Sequence, residues 1–427
     1  MPVDAAELLR RITRSAGIDA IYGKRCAPLS VTAVPDALAS TFAQAHERVH
    51  GARAAVHRGN GIFEFPGAAT QGPRVMQVGR ADDLMGVLPD LASGRAVELH
   101  LLFDLSEPVD DVVPVPVPGL DPWVEPDDDV VQALRGADSV SVLVGPDVVR
   151  AGAVPGLAAL AARANLGVLN TWGAKGVFHW RSRHHLATVG LQEEDFALSG
   201  LGQADLIIAS GLDPLESPEV RWRLAPAFVV PPAVLAALAE QGPVTVGDIA
   251  IPPLRVRLAA VTQRGWLVEQ APLPPTRVTM HYGECVAAGA LVAADAGRAG
   301  FWVARTLGTT RLGGAIVPSA PIPGFAAACV AVSQLRRPDR PALAVVDATE
   351  TEATAAVVDA ARSLGLHIPV ESWDPLGERL NAGAHRTRLW RMLGGRSTAP
   401  PGVQSVATDD GQWAEMTEAA GPIVAWT

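Results

Sequence analysis

Strand-like and helix-like segments alternate along this chain, and the clearest strand-like ones stop at a glycine. The run SVSVLV, which begins at Ser139, is apolar and ends at Gly145. A helix-like Ala/Leu segment (156–165), a second strand (167–171) and a third strand that ends at Gly211 follow. This alternation favours α/β domains built on parallel sheets. Strands that stop at glycine place backbone amides at the carboxyl edge of such a sheet, where these folds bind ligands.

Two proline-rich passages divide the chain. The first, DDVVPVPVPGLDPWVEPDDD, covers residues 110–129, and the second, APLPPT, covers residues 271–276. Proline removes backbone donors and favours extended chain, which is typical of a linker. A length of 427 residues is also that of two or three domains. The sequence therefore predicts domains over residues 1–122, 123–270 and 271–427.

The composition excludes several classes of protein. With 48% hydrophobic and 19% charged residues the chain can build a core, and disorder is excluded. A net charge of −10 without a basic stripe argues against a nucleic-acid partner. No apolar run approaches the roughly 18 to 20 residues of a membrane span, and the amphipathic N-terminus does not resemble a signal peptide. The three cysteines lie far apart, so we expect no disulfide framework and a cytoplasmic protein.

One short motif points to metal chemistry. Residues 46–50 read His-Glu-Arg-Val-His, which matches HExxH. On a helix, His46 and His50 could bind zinc on one face while Glu47 acts as general base. The extended metzincin pattern is missing, and a solvated helix face is the competing interpretation. A zinc hydrolase is therefore kept as a third alternative. GxGxxG, GxxxxGK[ST] and GxSxG fingerprints are absent from the sequence.

The most informative segment runs from Asn170 to Glu216. It resembles the central domain of thiamine-diphosphate-dependent enzymes of the acetolactate synthase type. The match covers Thr171, the turn from Gly173 to Gly176, the step at Gly190 and the strand from Asp205 to Gly211 with Asp213. The resemblance implies a cleft for FAD or another nucleotide, with its contacts at Gly145, Thr171, Lys175, Gly211 and Asp213.

The third region resembles the diphosphate-binding domain of the same family. The similar passages are LVAADAGRAGFW (291–302), PGFAAA (323–328) and ALAVVDA (342–348). The resemblance implies thiamine diphosphate held through Asp295, Gly297, Gly324 and Asp347. Asp347 would also bind the Mg²⁺ that bridges the diphosphate.

This region also departs from the family's pattern. The Gly-Asp-Gly that ends the family's strand is Val346-Asp347-Ala348 here, so a β-branched side chain stands where backbone must approach a phosphate. The family's downstream Asn is not evident. Glu350 and Glu352 lie near the expected diphosphate, which is unfavourable unless a metal screens them. These changes predict a degenerate cofactor site.

The first region resembles a shortened pyrimidine-binding domain. The strand 17–23 looks like the family's opening strand, but too little chain follows it for the usual domain. Glu47 is the candidate counterpart of the glutamate that hydrogen-bonds the aminopyrimidine ring, and it is the predicted catalytic residue.

The resemblance implies a fold of three doubly wound parallel-sheet α/β domains, the first shortened. It implies a homologue of acetolactate synthases and 2-oxo acid decarboxylases, which if active is a lyase or carboligase on a 2-oxo acid. A homodimer or a dimer of dimers is implied as well. The alternative from another class is a non-catalytic module that keeps the fold to bind a nucleotide or a partner.

Overall fold

A computed structural model describes residues 2–67, 72–114, 124–242, 248–394 and 403–426. The chain divides into two compact units, residues 1–119 with 359–364 and residues 120–358 with 365–427. Strands alternate with helices in both units, and the α/β class with several parallel sheets is confirmed. The predicted boundary between residues 122 and 123 lies outside the described residues, and the division into three domains stays a prediction.

The first unit is built on a mixed sheet. Its described strands are β1 (Val3–Asp4), β2 (Ile18–Gly23), β3 (Thr32–Ala33), β4 (Arg53–Gly59), β5 (Ile62–Phe65), β6 (Arg74–Val78), β7 (Val97–Leu101) and β8 (Pro108–Val109). Its helices are α1 (Ala5–Ser15), α2 (Asp36–His50) and α3 (Leu88–Ala92), the last preceded by a 3-10 helix (Ala81–Val87). Six strands form one sheet in the order β3–β2–β4–β5–β7–β6, and β1 pairs with β8.

This first sheet is only partly parallel, which corrects the expectation of a doubly wound parallel sheet here. Strand β5 runs antiparallel to both of its neighbours. The cause is local, because Asn60 (φ 51°) and Gly61 (φ 73°) form a two-residue turn between β4 and β5. Positive φ at both positions is the backbone of a type I′ hairpin, for which Asn-Gly is the preferred pair.

The second sheet begins the second unit. Its strands are β9 (Val140–Val144), β10 (Gly167–Thr171), β11 (His185–Val189), β12 (Leu206–Ser210) and β13 (Ala227–Val230). The helices of this part are α4 (Asp128–Gly136), α5 (Pro146–Arg150), α6 (Val154–Arg163), α7 (Asp195–Leu198), α8 (Glu219–Trp222), α9 (Val234–Gln241) and α10 (Pro253–Trp266). All pairs are parallel in the order β11–β10–β9–β12–β13. The strand order reverses between β9 and β12, and this switch point is where doubly wound sheets bind ligands.

The third sheet follows in the same unit. Its strands are β14 (Leu291–Ala294), β15 (Ala315–Ile316), β16 (Ala342–Asp347), β17 (Val370–Glu378) and β18 (Val403–Val406). Its helices are α11 (Pro275–Ala287), α12 (Arg298–Thr306), α13 (Phe325–Arg336), α14 (Thr351–Ser363), α15 (Ala382–Leu393) and α16 (Gly411–Ala420). The sheet is parallel in the order β15–β14–β16–β17–β18, so its switch point lies between β14 and β16.

Burial explains why these segments form strands. All residues of β10, β12 and β14 are buried, as expected for central strands covered by helices on both faces. Within the described part of the chain, no helix is long and apolar enough to span a bilayer.

Candidate functional site

The structure gathers the predicted site residues at two sheet edges. Those assigned to a nucleotide cleft lie at the end of a strand of the second sheet or in the loop after it: Gly145, Thr171, Lys175, Gly211 and Asp213. Those assigned to the diphosphate lie at the carboxyl edge of the third sheet or at a helix start beside it: Asp295, Gly297, Gly324 and Asp347. Glu47, the predicted catalytic residue, lies near the end of α2 in the first unit.

At the second sheet's switch point the backbone packs against itself. The N–H of Gly145 donates to the carbonyl of Ser210 (3.0 Å), and the N–H of Asp147 donates to the carbonyl of Gly211 (3.0 Å). A Cβ on Gly145 would lie 2.4 Å from the Gly211 carbonyl oxygen, and one on Gly211 would lie 2.6 Å from the Val148 nitrogen. Both positions therefore need glycine for close packing, and the amide of Asp147 is not directed at a ligand.

A buried carboxylate occupies the turn after β10. Glu216 is fully buried, and its Oε2 accepts from the Thr171 hydroxyl (2.5 Å) and the Gly173 amide (2.8 Å). Its Oε1 accepts from the Ser319 hydroxyl (2.5 Å), which precedes α13. The hydroxyl and amide that a nucleotide phosphate would need at this edge are thus bound to the protein's own anion.

Asp213 orders the loop that carries Glu216. Its Oδ1 accepts from the Leu215 amide (2.9 Å), while its carbonyl accepts from the amides of Glu216 (3.0 Å) and Ser217 (2.9 Å). This is the local hydrogen bonding by which Asp stabilises turns. The described contacts therefore give Asp213 a positioning role for Glu216.

At the third sheet's switch point, Asp347 caps a helix. Its Oδ2 accepts from the Arg298 amide (2.7 Å) and its Oδ1 from the Ala299 amide (3.0 Å), at the first turn of α12. Gly297 has φ 121°, and a Cβ there would lie 2.5 Å from Asp347 Oδ2. Amides at a helix N-terminus are the donors that bind phosphates, and here a carboxylate of the chain uses them.

Asp295 does the same for the neighbouring helix. Its side chain is buried, and its Oδ1 accepts from the Ala326 amide in the first turn of α13 (2.6 Å). Gly324 precedes this helix with φ 72°, where a Cβ would lie 2.9 Å from Val357 Cγ2. The two acidic residues that flank the switch point therefore each cap a helix of the third sheet.

Two tryptophans close the space between the two sheets. The indole N–H groups of Trp172 and Trp426 donate to the same carbonyl, that of Pro318 (3.0 and 2.9 Å). Their rings meet edge to face, with centroids 5.5 Å apart. A Cβ on Gly300 would lie 3.4 Å from the Trp426 ring. Trp426 thus lies between the turn after β10 and the first turns of α12.

The HExxH motif is used for packing. His46 is 1% exposed, and its Nε2 lies 2.7 Å from Asp19 Oδ1 while its Nδ1 lies 2.8 Å from the Tyr22 hydroxyl. A zinc ligand needs a ring nitrogen with a free lone pair, which would require breaking one of these bonds. Among the described residues, no three His, Cys, Asp or Glu side chains are grouped to hold a metal ion. The zinc hydrolase alternative therefore finds no support.

Comparison with protein families identifies the second sheet. Residues 128–226, from the start of α4 to the residue before β13, match the model of the thiamine pyrophosphate enzyme central domain. This part of the chain is similar to the central domain of thiamine pyrophosphate enzymes. The predicted family resemblance is confirmed for this domain, and the family implies thiamine diphosphate as its cofactor. No curated protein matches the chain significantly.

The cofactor can be tested against the residues beside this central domain. Thiamine diphosphate presents an anionic diphosphate, which needs backbone donors and a metal ion. The amides at the start of α12 are bound to Asp347, and the Arg298 guanidinium pairs with Asp410 over the Trp413 ring. A diphosphate at this edge would meet the Asp347 carboxylate at short range, so the arrangement does not fit it.

Sequence reasoning missed Glu216, Ser319 and Trp426. Glu216 lies in the loop after β12, and a single Glu in a loop has no sequence pattern that predicts its burial. Its role depends on Ser319, more than a hundred residues away, which only the packing of the two sheets brings into contact. Glu47 was assigned by its distance from the first strand, and its catalytic role stays a prediction.

Proposed function

We propose that this chain is a thiamine diphosphate enzyme homologue whose diphosphate site is degenerate, so that it acts without loading the cofactor at the third sheet. The proposal rests on the two hydrogen bonds that the Asp347 carboxylate accepts from the backbone amides of Arg298 and Ala299. A residue that the family uses to hold Mg²⁺ serves here as a helix cap. The chain then keeps the fold as a non-catalytic binding or partner module.

The second sheet supports the same interpretation. A nucleotide such as FAD at Gly145 and Gly211 would have to separate backbone atoms already in contact. It would also have to displace Glu216 from Thr171 and Gly173. We therefore do not include a nucleotide at this cleft in the proposal.

The family match favours a second candidate, an active lyase or carboligase of the acetolactate synthase type on a 2-oxo acid. In that case Asp347 would leave the start of α12 to hold Mg²⁺. The homodimer or dimer of dimers that the resemblance implies belongs to this candidate as well, whereas a cytoplasmic location is proposed for both candidates.

Native mass spectrometry with added thiamine diphosphate and Mg²⁺ separates the two. The proposal predicts no mass increase for the unaltered protein. An increase of one cofactor and one metal per chain, lost in Asp347→Ala, would overturn it and establish the enzyme. Glu352→Gln is the matched control, because it removes one exposed acid from the same edge and leaves the cap intact.

A further inference from the structure

A cavity of about 430 Å³ lies in the second unit, and none of the residues discussed at the two switch points lines it. Its wall comes from the loop after β10, the end of α10, helix α11, and the end of α12 with the residues that follow. The volume is that of a small-molecule site, and such sites combine apolar walls with a few polar groups. We call it the tryptophan cavity, because Trp180 and Trp266 line it together with Met280.

The two indoles form a corner of the tryptophan cavity. Trp180 and Trp266 are half-buried, their ring centroids are 6.1 Å apart and their planes meet at 76°. The Trp180 backbone N–H donates to the Thr309 carbonyl (2.9 Å), and a Cβ on Gly308 would lie 3.1 Å from the Trp180 ring. Glycine at position 308 therefore lets the indole lie directly against the backbone, which fixes its plane. A flat ring that enters the corner can stack on one indole and meet the other edge to face.

The charged groups at the tryptophan cavity favour an anion. The Arg181 guanidinium lies over the Trp180 ring, with its Cζ 4.7 Å from the centroid, and it makes no hydrogen bond or ion pair with the part of the chain that the structure describes. His179 Nδ1 accepts from the Arg181 backbone N–H (3.0 Å), so the ring proton of neutral His179 is on Nε2, which is a second donor. Glu284 also lines the cavity, but its two oxygens accept from Arg386 (2.7 and 2.8 Å). The cavity therefore presents a cation and an N–H donor, whereas its carboxylate is already paired.

These features select among ligand classes. Perpendicular tryptophans can also bind a methylated ammonium group, but such a cation would be repelled by Arg181. A carboxylate matches the fork of a guanidinium, with two parallel hydrogen bonds. An inorganic anion would leave the apolar corner empty. A ligand that has both an aromatic ring and a carboxylate uses both halves of the site.

We propose that the tryptophan cavity binds a small aromatic carboxylate. The ring of the ligand lies in the corner between Trp180 and Trp266, and its carboxylate accepts from Arg181 and His179. This site goes beyond the proposed function, because it gives the chain a small-molecule ligand whatever the state of the Asp347 edge.

NMR spectroscopy of the unaltered, ¹⁵N-labelled protein tests the location of the site. Indole-3-acetate serves as the probe, and the ten tryptophans supply ten indole N–H signals. We expect saturable shifts that are largest for the two signals that disappear in Trp180→Phe and in Trp266→Phe. Shifts that are largest at other indoles, or no saturable shift, would overturn the proposal.

The affinities of matched probes test the ligand class. Tryptamine has the same indole ring with a positive charge, and cyclohexylacetate keeps the carboxylate without an aromatic ring. Each is expected to bind at least about fivefold more weakly than indole-3-acetate, by the same titration. Equal or tighter binding of tryptamine would make this a site for cations, and equal binding of cyclohexylacetate would remove the ring from the proposal.

Two arginine variants test the contact to the carboxylate. Arg181→Gln is expected to weaken the binding of indole-3-acetate about tenfold, because charge-assisted hydrogen bonds are lost. Arg183→Gln is the matched control, since Arg183 is exposed in the same loop, hydrogen-bonds Asn165 and does not line the cavity. It should change the affinity by less than about twofold. Equal losses in the two variants would contradict a direct contact to Arg181. None of these measurements involves thiamine diphosphate or Asp347, so failure here leaves the proposed function untouched.

Discussion

The two parallel sheets of the second unit have corresponding switch points, and the chain closes them by different means. Between β9 and β12 of the second sheet, the backbones of Gly145 and Gly211 pack directly together. Between β14 and β16 of the third sheet, the closing groups are the carboxylates of Asp295 and Asp347. The edge of the second sheet is filled by backbone atoms that meet because glycine has no side chain. The edge of the third sheet is filled by charged side chains.

The difference determines what a mutation can reopen. Backbone contact cannot be removed by truncating a side chain, since glycine has none. A carboxylate on a helix N-terminus can be removed, and the amides that it leaves are then free for another anion. The third sheet is therefore the edge at which ligand binding could be restored.

The largest expected effect is that of Gly145→Ala. A Cβ would lie 2.4 Å from the Gly211 carbonyl oxygen, and the two strands would have to separate. We expect a loss of about 3 kcal/mol in the free energy of unfolding, measured by denaturant titration. Gly136→Ala is the control, because a Cβ at this exposed helix end meets nothing within 4 Å. Equal stabilities of the two variants would refute direct backbone packing at this edge.

Glu216→Ala comes next in size. Removing the carboxylate leaves the Thr171 hydroxyl, the Gly173 amide and the Ser319 hydroxyl without their acceptor. Unsatisfied buried donors of this kind predict a loss of about 2 to 3 kcal/mol in unfolding free energy. Glu219→Ala, at an exposed position on α8, should change stability by about 0.5 kcal/mol or less. A similarly small loss of stability for Glu216→Ala would mean that Glu216 is not the acceptor that these three donors depend on.

Asp347→Ala has a smaller expected effect on stability but a distinct one on binding. Loss of the cap at α12 should lower the unfolding free energy by about 1 kcal/mol. The freed amides should also bind inorganic pyrophosphate more tightly than the unaltered protein does, by isothermal titration calorimetry. Asp347→Asn keeps a side-chain oxygen as acceptor and is expected to show neither change in full. Unchanged pyrophosphate affinity in folded Asp347→Ala would show that Asp347 does not block an anion site.

Much of this arrangement could be predicted from the sequence. Apolar runs that stop at Gly145 and Gly211 predicted strands of a parallel sheet, and the structure has β9 and β12 directly before these two glycines. The Asn60-Gly61 turn of the first sheet also has a sequence signal, since this pair favours a type I′ hairpin.

The closure of the two edges could not be predicted. Whether Asp347 faces a metal or the amides of Arg298 and Ala299 depends on how closely α12 approaches the end of β16, which is a property of packing. The sequence pattern of a capping Asp and that of a metal-binding Asp after a strand are the same. For Glu216, the partner Ser319 lies 103 residues further along the chain, among the segments of the third sheet, so no local pattern could predict their contact.

The last prediction concerns pH and the third sheet. A buried chain of hydrogen bonds joins His281 of α11, His385 of α15 and Glu371 of β17. His281 Nδ1 lies 2.7 Å from His385 Nδ1, and His385 Nε2 lies 2.9 Å from Glu371 Oε1. Burial, with His385 and nearby arginines, lowers the pKa of His281 to about 3. Burial raises the pKa of Glu371, but His385 and Arg388 outweigh it and lower the pKa to about 2.

Both groups bind fewer protons in the folded protein than in the unfolded chain, whose ordinary pKa values are about 6.5 and 4.5. Their contribution to stability is therefore complete above pH 6.5. This contribution is lost between pH 6.5 and 3 for His281, and between pH 4.5 and 2 for Glu371. The unfolding free energy then changes by at most about 1.4 kcal/mol per pH unit for each proton.

In His281→Leu, the unfolding free energy measured by denaturant titration should depend less on pH between 6.5 and 4.5 than it does in the unaltered protein. His179→Asn alters an exposed histidine and should keep the slope of the unaltered protein. Identical slopes in all three proteins would show that His281 is not one of the acid-sensitive groups of the third sheet.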